Sequence, residues 1–109
     1  MACKIIIQGT TPTHTFTLPY DTSTLKRVRF VYSQRGQIKV IKDTADAESA
    51  VDLEGPKAKA KLTQEETFKF EPDVVVQLIL RVLTEDCDAL ESDPVFLMCR
   101  ASADKEVLV

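Results

Sequence analysis

A chain of 109 residues with 44% apolar and 28% charged residues has the composition of one folded domain with an ordinary hydrophobic core. Its net charge of −3 argues against a general binder of nucleic-acid backbones, which needs a basic face. The N-terminal residues lack the order of a signal peptide, and the apolar run Ile5–Ile7 is far too short to cross a bilayer. We therefore expect cytoplasmic synthesis, no membrane partner and no nucleic-acid partner.

The cysteines indicate neither a disulfide framework nor a metal site. Cys3, Cys87 and Cys99 are an odd number and contain no CxxC spacing. Cys99 alternates with apolar neighbours and is predicted to be a small core residue. Reduced thiols are the expectation, with no cofactor.

Alternation of apolar and polar residues predicts strands along most of the chain. In THTFTLPY, for example, His14, Phe16 and Leu18 share one face while threonines occupy the other. Turn residues such as RGQ and EGP separate the segments and predict hairpins. The predicted strands cover residues 3–7, 13–20, 25–34, 37–42, 50–53, 57–62, 74–84 and 93–101.

The segment 74–84, VVVQLILRVLT, is the strongest strand in the sequence. One of its faces is entirely apolar, whereas Gln77 and Arg81 interrupt the other. The members of the apolar face are Val74, Val76, Leu78, Leu80 and Val82. This pattern is typical of a central strand with one buried face, and the acidic turn after it predicts a hairpin with the last apolar run.

A short helical turn is predicted just before that strand. In LTQEETF, Thr63 is followed three residues later by Glu66, which is the pattern of a capping box. Glu65 and Glu66 also suit the positive end of a helical turn. Pro72 then favours an end to the segment. We predict a structural corner at Thr63 and Glu66.

Together these elements predict an all-β fold. We expect an antiparallel, immunoglobulin-like β-sandwich of about seven or eight strands, with one short helical turn near residues 63–67. Residues 1–109 form a single domain in this prediction. A small barrel is the alternative architecture.

Groups that could carry catalysis or bind a metal have simpler structural explanations. Glu65 and Glu66 point about 100° apart on a helix, so they do not converge on one substrate. His14 is the only histidine in the chain, and a single histidine without nearby ligands does not make a zinc site. Cys87 has no basic neighbour in sequence that would activate a thiol. We predict no catalytic, cofactor-binding or metal-binding residues, and a protein that is not an enzyme.

Two charged segments also fit ordinary surfaces. The acidic stretch TEDCDALESD at 84–93 lacks the glycine and the ligand spacing of a calcium loop and is predicted to be a solvated turn. The lysines of KAKAK at 57–61 alternate with alanines, which is typical of the wet side of an edge strand.

Residues 57–100 resemble small proteins encoded in the tail and baseplate regions of Firmicutes prophages. The resemblance lies in the LTQEET corner, the strand with glutamine and arginine on one face, and the final strand that starts with serine. The positions that carry it are Leu62 to Thr67, Val75, Gln77, Arg81, Asp86 and Ser92. Cys87 departs from the pattern, in which the turn has glycine, and this departure leaves the turn type open.

The resemblance implies a non-enzymatic virion component, in the tail or baseplate, that works through protein–protein contacts. Other virion or tail proteins are the implied partners, and homo-oligomers fit the same role. The alternative is an immunoglobulin-like binding module for a surface receptor or a carbohydrate. The apolar chain end, Val107, Leu108 and Val109, is the candidate docking arm, and a last strand or a frayed tail is the alternative for it.

Overall fold

The computed structural model describes residues 5–46 and 49–109. The first predicted strand begins at Cys3, so its first two residues and the Cys3 thiol lie outside the described residues. The strands are β1 Ile5–Ile7, β2 Thr13–Thr17, β3 Leu25–Gln34, β4 Gln37–Asp43, β5 Ala50–Glu54, β6 Lys57–Lys61, β7 Val75–Thr84, β8 Ala89–Glu91 and β9 Val95–Arg100. The helix is α1, Gln64–Phe68, and a 3-10 turn spans Thr22–Thr24.

The strands form two sheets. The large sheet has the order β1-β9-β7-β3-β4, with β8 also paired to β7, and the small sheet has the order β2-β6-β5. Strands B, E and D of an immunoglobulin domain correspond to β2, β6 and β5, and strands C, F and G correspond to β3, β7 and β9. The predicted all-β sandwich is confirmed. The described residues form nine strands rather than seven or eight, and β1 pairs with β9 in parallel instead of antiparallel orientation.

The core lies between the two sheets and is built by the predicted alternation. Every second residue of β7 is buried from Val76 to Val82, and the same holds for β3 from Val28 to Gln34; on the outer side of β3, Val31 is buried as well. The buried members are Val28, Phe30 and Tyr32 on β3 and Val76, Leu78, Leu80 and Val82 on β7. The small sheet contributes Ala58 and Ala60, which are fully buried, and Phe16 packs edge-on against Phe30. Cys99 is also buried in this core, as predicted.

The helical corner forms the predicted capping box. The Thr63 hydroxyl accepts a hydrogen bond from the Glu66 N–H at 3.1 Å, and the Thr63 N–H donates to Glu66 Oε1 at 2.8 Å. Two otherwise unpaired backbone donors of the first turn are thereby satisfied. The carboxylate of Glu66 has a second partner that the sequence analysis did not identify. Lys42 Nζ donates to Glu66 Oε1 at 2.8 Å, and the Lys42 side chain is only 3% exposed.

The corner is also fastened to the first strand region. The Thr67 hydroxyl donates to the carbonyl of Thr10 and accepts from the Gly9 N–H at 2.9 Å. Gly9 has a φ of +80°, and a Cβ placed there would lie 2.8 Å from Phe68 Cζ. Only glycine combines this backbone conformation with so close an approach. The contact therefore sets how near α1 packs to the end of β1.

The predicted last hairpin is present, but its second arm is divided. β8 pairs with the end of β7, and β9 pairs with its beginning. Between them, Pro94 has no N–H to continue a ladder. Ser92 compensates at this break, because its hydroxyl accepts from the Leu80 N–H at 2.9 Å and its own N–H donates to the Leu80 carbonyl at 2.9 Å.

Two hairpin turns use residues in the left-handed region. Arg35 and Gly36, with φ of 51° and 76°, form the two-residue connection between β3 and β4, as a type I′ turn requires. The loop between β7 and β8 has three residues, because the Thr84 N–H donates to the Asp88 carbonyl. Cys87, its last residue, has a φ of 65°, at the position where such loops favour glycine. The turn type left open by the sequence is therefore a three-residue loop with a left-handed third residue.

Replacements at the corner should distinguish the contribution of the helix cap to stability from that of the buried ion pair. Thr63→Ala removes one capping bond and should lower the free energy of unfolding by about 1 kcal/mol. Glu66→Ala also leaves the Lys42 ammonium buried without its partner, so it should cost about 3 kcal/mol or more. The double change Glu66→Ala with Lys42→Met should recover much of that loss. Urea unfolding measures all three variants, and equal costs for the two single changes would contradict the role of the ion pair.

Replacement of Cys87 should test strain in the three-residue loop. A side chain in the left-handed region costs about 1–2 kcal/mol, and glycine adds about 0.5–1 kcal/mol of chain entropy to the unfolded state. Cys87→Gly should therefore raise the free energy of unfolding by about 0.5–1 kcal/mol. Cys87→Ala is the control, since it removes the sulfur but keeps a Cβ and should bring no such gain. A shift in the urea midpoint that is the same for both variants would mean that the backbone conformation is not what matters.

Candidate interaction surface

The outer face of the large sheet, which points away from the core, carries most of the exposed large apolar side chains of the described chain. On β1, β9 and β7 these side chains alternate with the buried Ile6, Leu97 and Val76. We call the outward set on these three strands the apolar patch: Ile5, Ile7, Val75, Phe96 and Met98. Strand register places Ile5 beside Met98 and Met98 beside Val75, so the patch is continuous across three strands.

The apolar surface continues toward the opposite edge of the sheet. Ile79, Val31 and Ile41 stand in register across β7, β3 and β4. Ile41 is exposed and Ile79 half-buried, whereas Val31 between them is only 7% exposed. Phe96 is the most prominent member of the patch, with 60% of its surface exposed. An exposed apolar surface that spans neighbouring strands is characteristic of sites that bind another molecule, whereas single exposed apolar residues are ordinary. The outer face therefore stands out as the candidate site.

A row of charged side chains borders this surface. Asp43, Arg29, Arg81 and Glu91 are consecutive cross-strand neighbours on β4, β3, β7 and β8. We call these four residues the charged row. Arg29 Nε donates to Asp43 Oδ2 at 2.8 Å, while Arg81 Nε lies 3.7 Å from Glu91 Oε1. The two arginines in the middle face each other directly, which is an unfavourable arrangement for like charges.

Asp43 is the most strongly bound member of the charged row. Arg27 forms a bidentate pair with it, with Nη2 to Oδ2 at 2.6 Å and Nε to Oδ1 at 2.9 Å. The Ala45 N–H also donates to Oδ1, and the Asp43 side chain is only 7% exposed. The hydrogen bond from Arg27, followed by those from Ala45 and Arg29, holds the pKa of the Asp43 carboxyl well below its ordinary value. The carboxylate stays ionised throughout the neutral and mildly acidic range.

A shallow concavity of about 200 Å³ lies at this end of the sheet. Arg27, Arg29 and Arg81 line it, together with Val82, Leu83 and Ala89. Its walls thus combine three guanidinium groups with apolar side chains. This combination suits recognition of an acidic group that is attached to an apolar molecule.

The structure places both sets of predicted site residues at α1. Thr63 and Glu66 lie in the structural corner, as expected. Of the chain end, Val107 is half-buried, whereas Leu108, at 70%, and Val109 are exposed. The Gln64 side chain donates to the Leu108 carbonyl and accepts from the Leu108 N–H, both at 2.8 Å. The chain end therefore lies against α1 through its backbone.

Sequence analysis did not identify the outer face as a site. The signal was present in 74–84, because Val75, Ile79 and Leu83 make the second face of β7 partly apolar as well. A strand that covers a core and meets water on its other side would have a polar second face. Because Gln77 and Arg81 interrupt this second face, its apolar character was not recognised from the sequence.

The exposed cysteine and the histidine each have a polar neighbour in the fold. Lys26 Nζ lies 3.6 Å from Cys87 Sγ, so the fold supplies a basic neighbour that is remote in sequence, on an exposed surface. His14 Nδ1 shares a 2.7 Å hydrogen bond with the Tyr32 hydroxyl, and burial raises the pKa of Tyr32. Within residues 5–46 and 49–109, no group of three or more histidine, cysteine or acidic side chains is placed to hold a metal ion.

Replacement of Asp43 should reveal its ionised state through pH. A carboxyl whose pKa is lowered in the folded state stabilises the fold above its unfolded pKa, near 3.9, and loses that effect as pH falls. Asp43→Asn should therefore lower the free energy of unfolding by about 2 kcal/mol at pH 7. The difference from the unmodified protein should shrink below about pH 4. Asp52→Asn, on the exposed surface of β5, is the control and should cost far less at pH 7. A difference that is constant from pH 7 to about pH 2.5 would contradict this assignment.

In comparisons with known proteins, no family model, curated protein or solved structure matches the chain. In the described part of the chain, no helix is long and apolar enough to cross a membrane. The fold and the geometry of the outer face are therefore the basis for a functional proposal.

Proposed function

We propose that this protein is a non-enzymatic structural component of a phage or prophage virion, in the tail or baseplate, and that it acts through protein–protein contacts. The outer face of the large sheet is the contact surface in this proposal. The observation that carries it is the continuous apolar patch, with the charged row further along the same face. The resemblance supports the virion setting, and other virion or tail proteins are the proposed partners.

The geometry of the face suits a protein partner. An apolar centre beside a polar or charged rim is the usual composition of a protein–protein interface. Phe96 projects from this surface, and large aromatic side chains often supply much of the binding free energy at interfaces. Met98 lies two residues further along the same face and can adapt its shape to a partner. Burial of these two side chains is therefore the expected main source of affinity.

Replacement of these side chains should abolish the contact without unfolding the protein. The test is co-expression with the products of neighbouring genes, followed by purification of the complex. Phe96→Ser combined with Met98→Ser should lower the affinity for the partner by about a hundredfold or more, since each lost apolar contact contributes about 1.5–3 kcal/mol. Leu53→Ser, at an exposed apolar position on β5 of the small sheet, is the matched control and should bind normally. Thermal melting confirms that each variant folds.

The same experiment includes the chain end as the competing contact. Leu108→Ser keeps the backbone bonds to Gln64 and changes only the exposed side chain. Under the present proposal this variant keeps its partner. Loss of the partner with Leu108→Ser, together with normal binding by the double variant at Phe96 and Met98, would contradict the proposal and assign the contact to the arm.

A further inference from the structure

We infer that Arg29 and Arg81 form a binding site for a carboxylate of the partner, so that the partner segment carries an acidic side chain next to apolar ones. This inference rests on the proposed function and adds the chemistry of the partner to it. The site lies at the end of the outer face where the concavity of about 200 Å³ is lined by Arg27, Arg29 and Arg81.

The charges of the site do not balance among residues 5–46 and 49–109. Three arginines meet two carboxylates, and Asp43 binds two of these arginines by itself. Arg81 has Glu91 as its neighbour, but the Nε to Oε1 distance of 3.7 Å is too long for a hydrogen bond, and both side chains are about half exposed. Within the described residues, the guanidinium of Arg81 thus keeps hydrogen-bond donors that face the concavity and the solvent.

Strand register brings Arg81 close to a second guanidinium. Arg29 is its direct cross-strand neighbour, and its bond to Asp43 uses Nε, which leaves Nη donors of the same group for another acceptor. Side chains directly opposite each other in an antiparallel pair have Cβ atoms about 5 Å apart. A carboxylate between them would accept charge-assisted hydrogen bonds from both and would relieve their repulsion.

The surroundings favour an acidic protein segment over a nucleic acid. A nucleic-acid backbone needs an extended basic surface, whereas the surface beside these arginines is apolar and the chain has a net charge of −3. An extended segment can place an apolar side chain and an acidic side chain on the same side, two residues apart. The apolar one would meet the apolar surface while the acidic one reaches the arginines.

A symmetric pair of copies of this chain fits the site less well. In a face-to-face dimer, the twofold axis lies in the plane of the interface. If the dimer is centred on the charged row, an arginine of one copy faces an arginine of the other, whether the axis runs along the row or across it. Opposed guanidinium groups without an acid between them would weaken such a pair. The site is therefore assigned to a different chain.

The test uses a peptide with the required chemistry. The acetylated and amidated peptide ISLSDS places two apolar side chains and one carboxylate on the same side of an extended chain. Its titration into protein labelled with nitrogen-15 should shift the side-chain Nε–Hε signals of Arg29 and Arg81. The peptide ISLSNS, which lacks the carboxylate, should shift them far less, and the binding of ISLSDS should weaken as salt is raised.

Variants of the protein show which residues bind the peptide. Arg81→Gln should weaken peptide binding about tenfold, the loss expected for one charge-assisted contact. Arg35→Gln is the matched control, because Arg35 is an exposed arginine with one loose ion pair, to Glu71, in the turn between β3 and β4. It should bind the peptide as the unmodified protein does. Equal binding of the two peptides, or no effect of Arg81→Gln, overturns the inference.

Two further results would also overturn it. Tighter binding of a ten-nucleotide oligothymidylate than of the peptide ISLSDS would mean that the arginines bind phosphate. Self-association that is observed by sedimentation and lost with Arg81→Gln would mean that a second copy of the chain occupies the arginine site. The broader proposal is separable: if the partner is lost with the double change at Phe96 and Met98 but kept with Arg81→Gln, the outer face is the contact surface and the carboxylate site is wrong.

Discussion

The antiparallel pairing of β3 with β7 is the constraint on which the remaining structure depends. Both strands have ten residues, and their register sends one half of the side chains into the core and the other half to the outer face. A shift of one residue would bury Arg29 and Arg81 and expose Phe30 and Leu80. Burial of an unpaired charge costs several kcal/mol, so the core fixes the register and the register in turn sets the arrangement of the outer face.

The helical corner shows how a polar group can join separate parts of a sandwich. One carboxylate oxygen of Glu66 accepts from the backbone of Thr63 and from the buried ammonium of Lys42. Lys42 belongs to β4 in the large sheet, whereas Thr63 lies two residues after the end of β6 in the small sheet. The ion pair loses hydration when it is buried, and the capping bonds offset part of that cost. The corner therefore ties the two sheets together, in addition to capping a short helix.

Sequence patterns predicted those elements whose structure depends on residues that are close together in the chain. Sequence patterns located the described strands except β8, which lies within the stretch 84–93 that was predicted to be a solvated turn. The spacing of Thr63 and Glu66 predicted a capping box that the structure contains. The burial of Lys42 was not predictable in this way, because its partner is 24 residues away and the contact exists only after the sheets pack. The parallel pairing of β1 with β9 and the break at Pro94 likewise depend on where distant strands end.

The outer face was harder to predict for a related reason. Its apolar side chains come from β1, β9 and β7, which are far apart in sequence, and each strand alone shows only one or two of them. The pair Arg29 and Arg81 is 52 residues apart and meets only through strand register. Sequence periodicity describes one strand at a time, whereas a surface is a property of several strands in a defined order.

The charged row retains an unfavourable contact that the fold itself does not require. Among the described residues, Asp43 pairs with both Arg27 and Arg29 at one end, while the acidic neighbour of Arg81 is the more distant Glu91. A glutamine or threonine on β7 in place of Arg81 would pair with Arg29 without repulsion and would suit the strand equally well. Natural proteins keep such locally unfavourable choices mainly where a site needs them. The position of this arginine pair, next to an apolar surface on a stable sheet, is therefore better explained by recognition of an external acid than by stability.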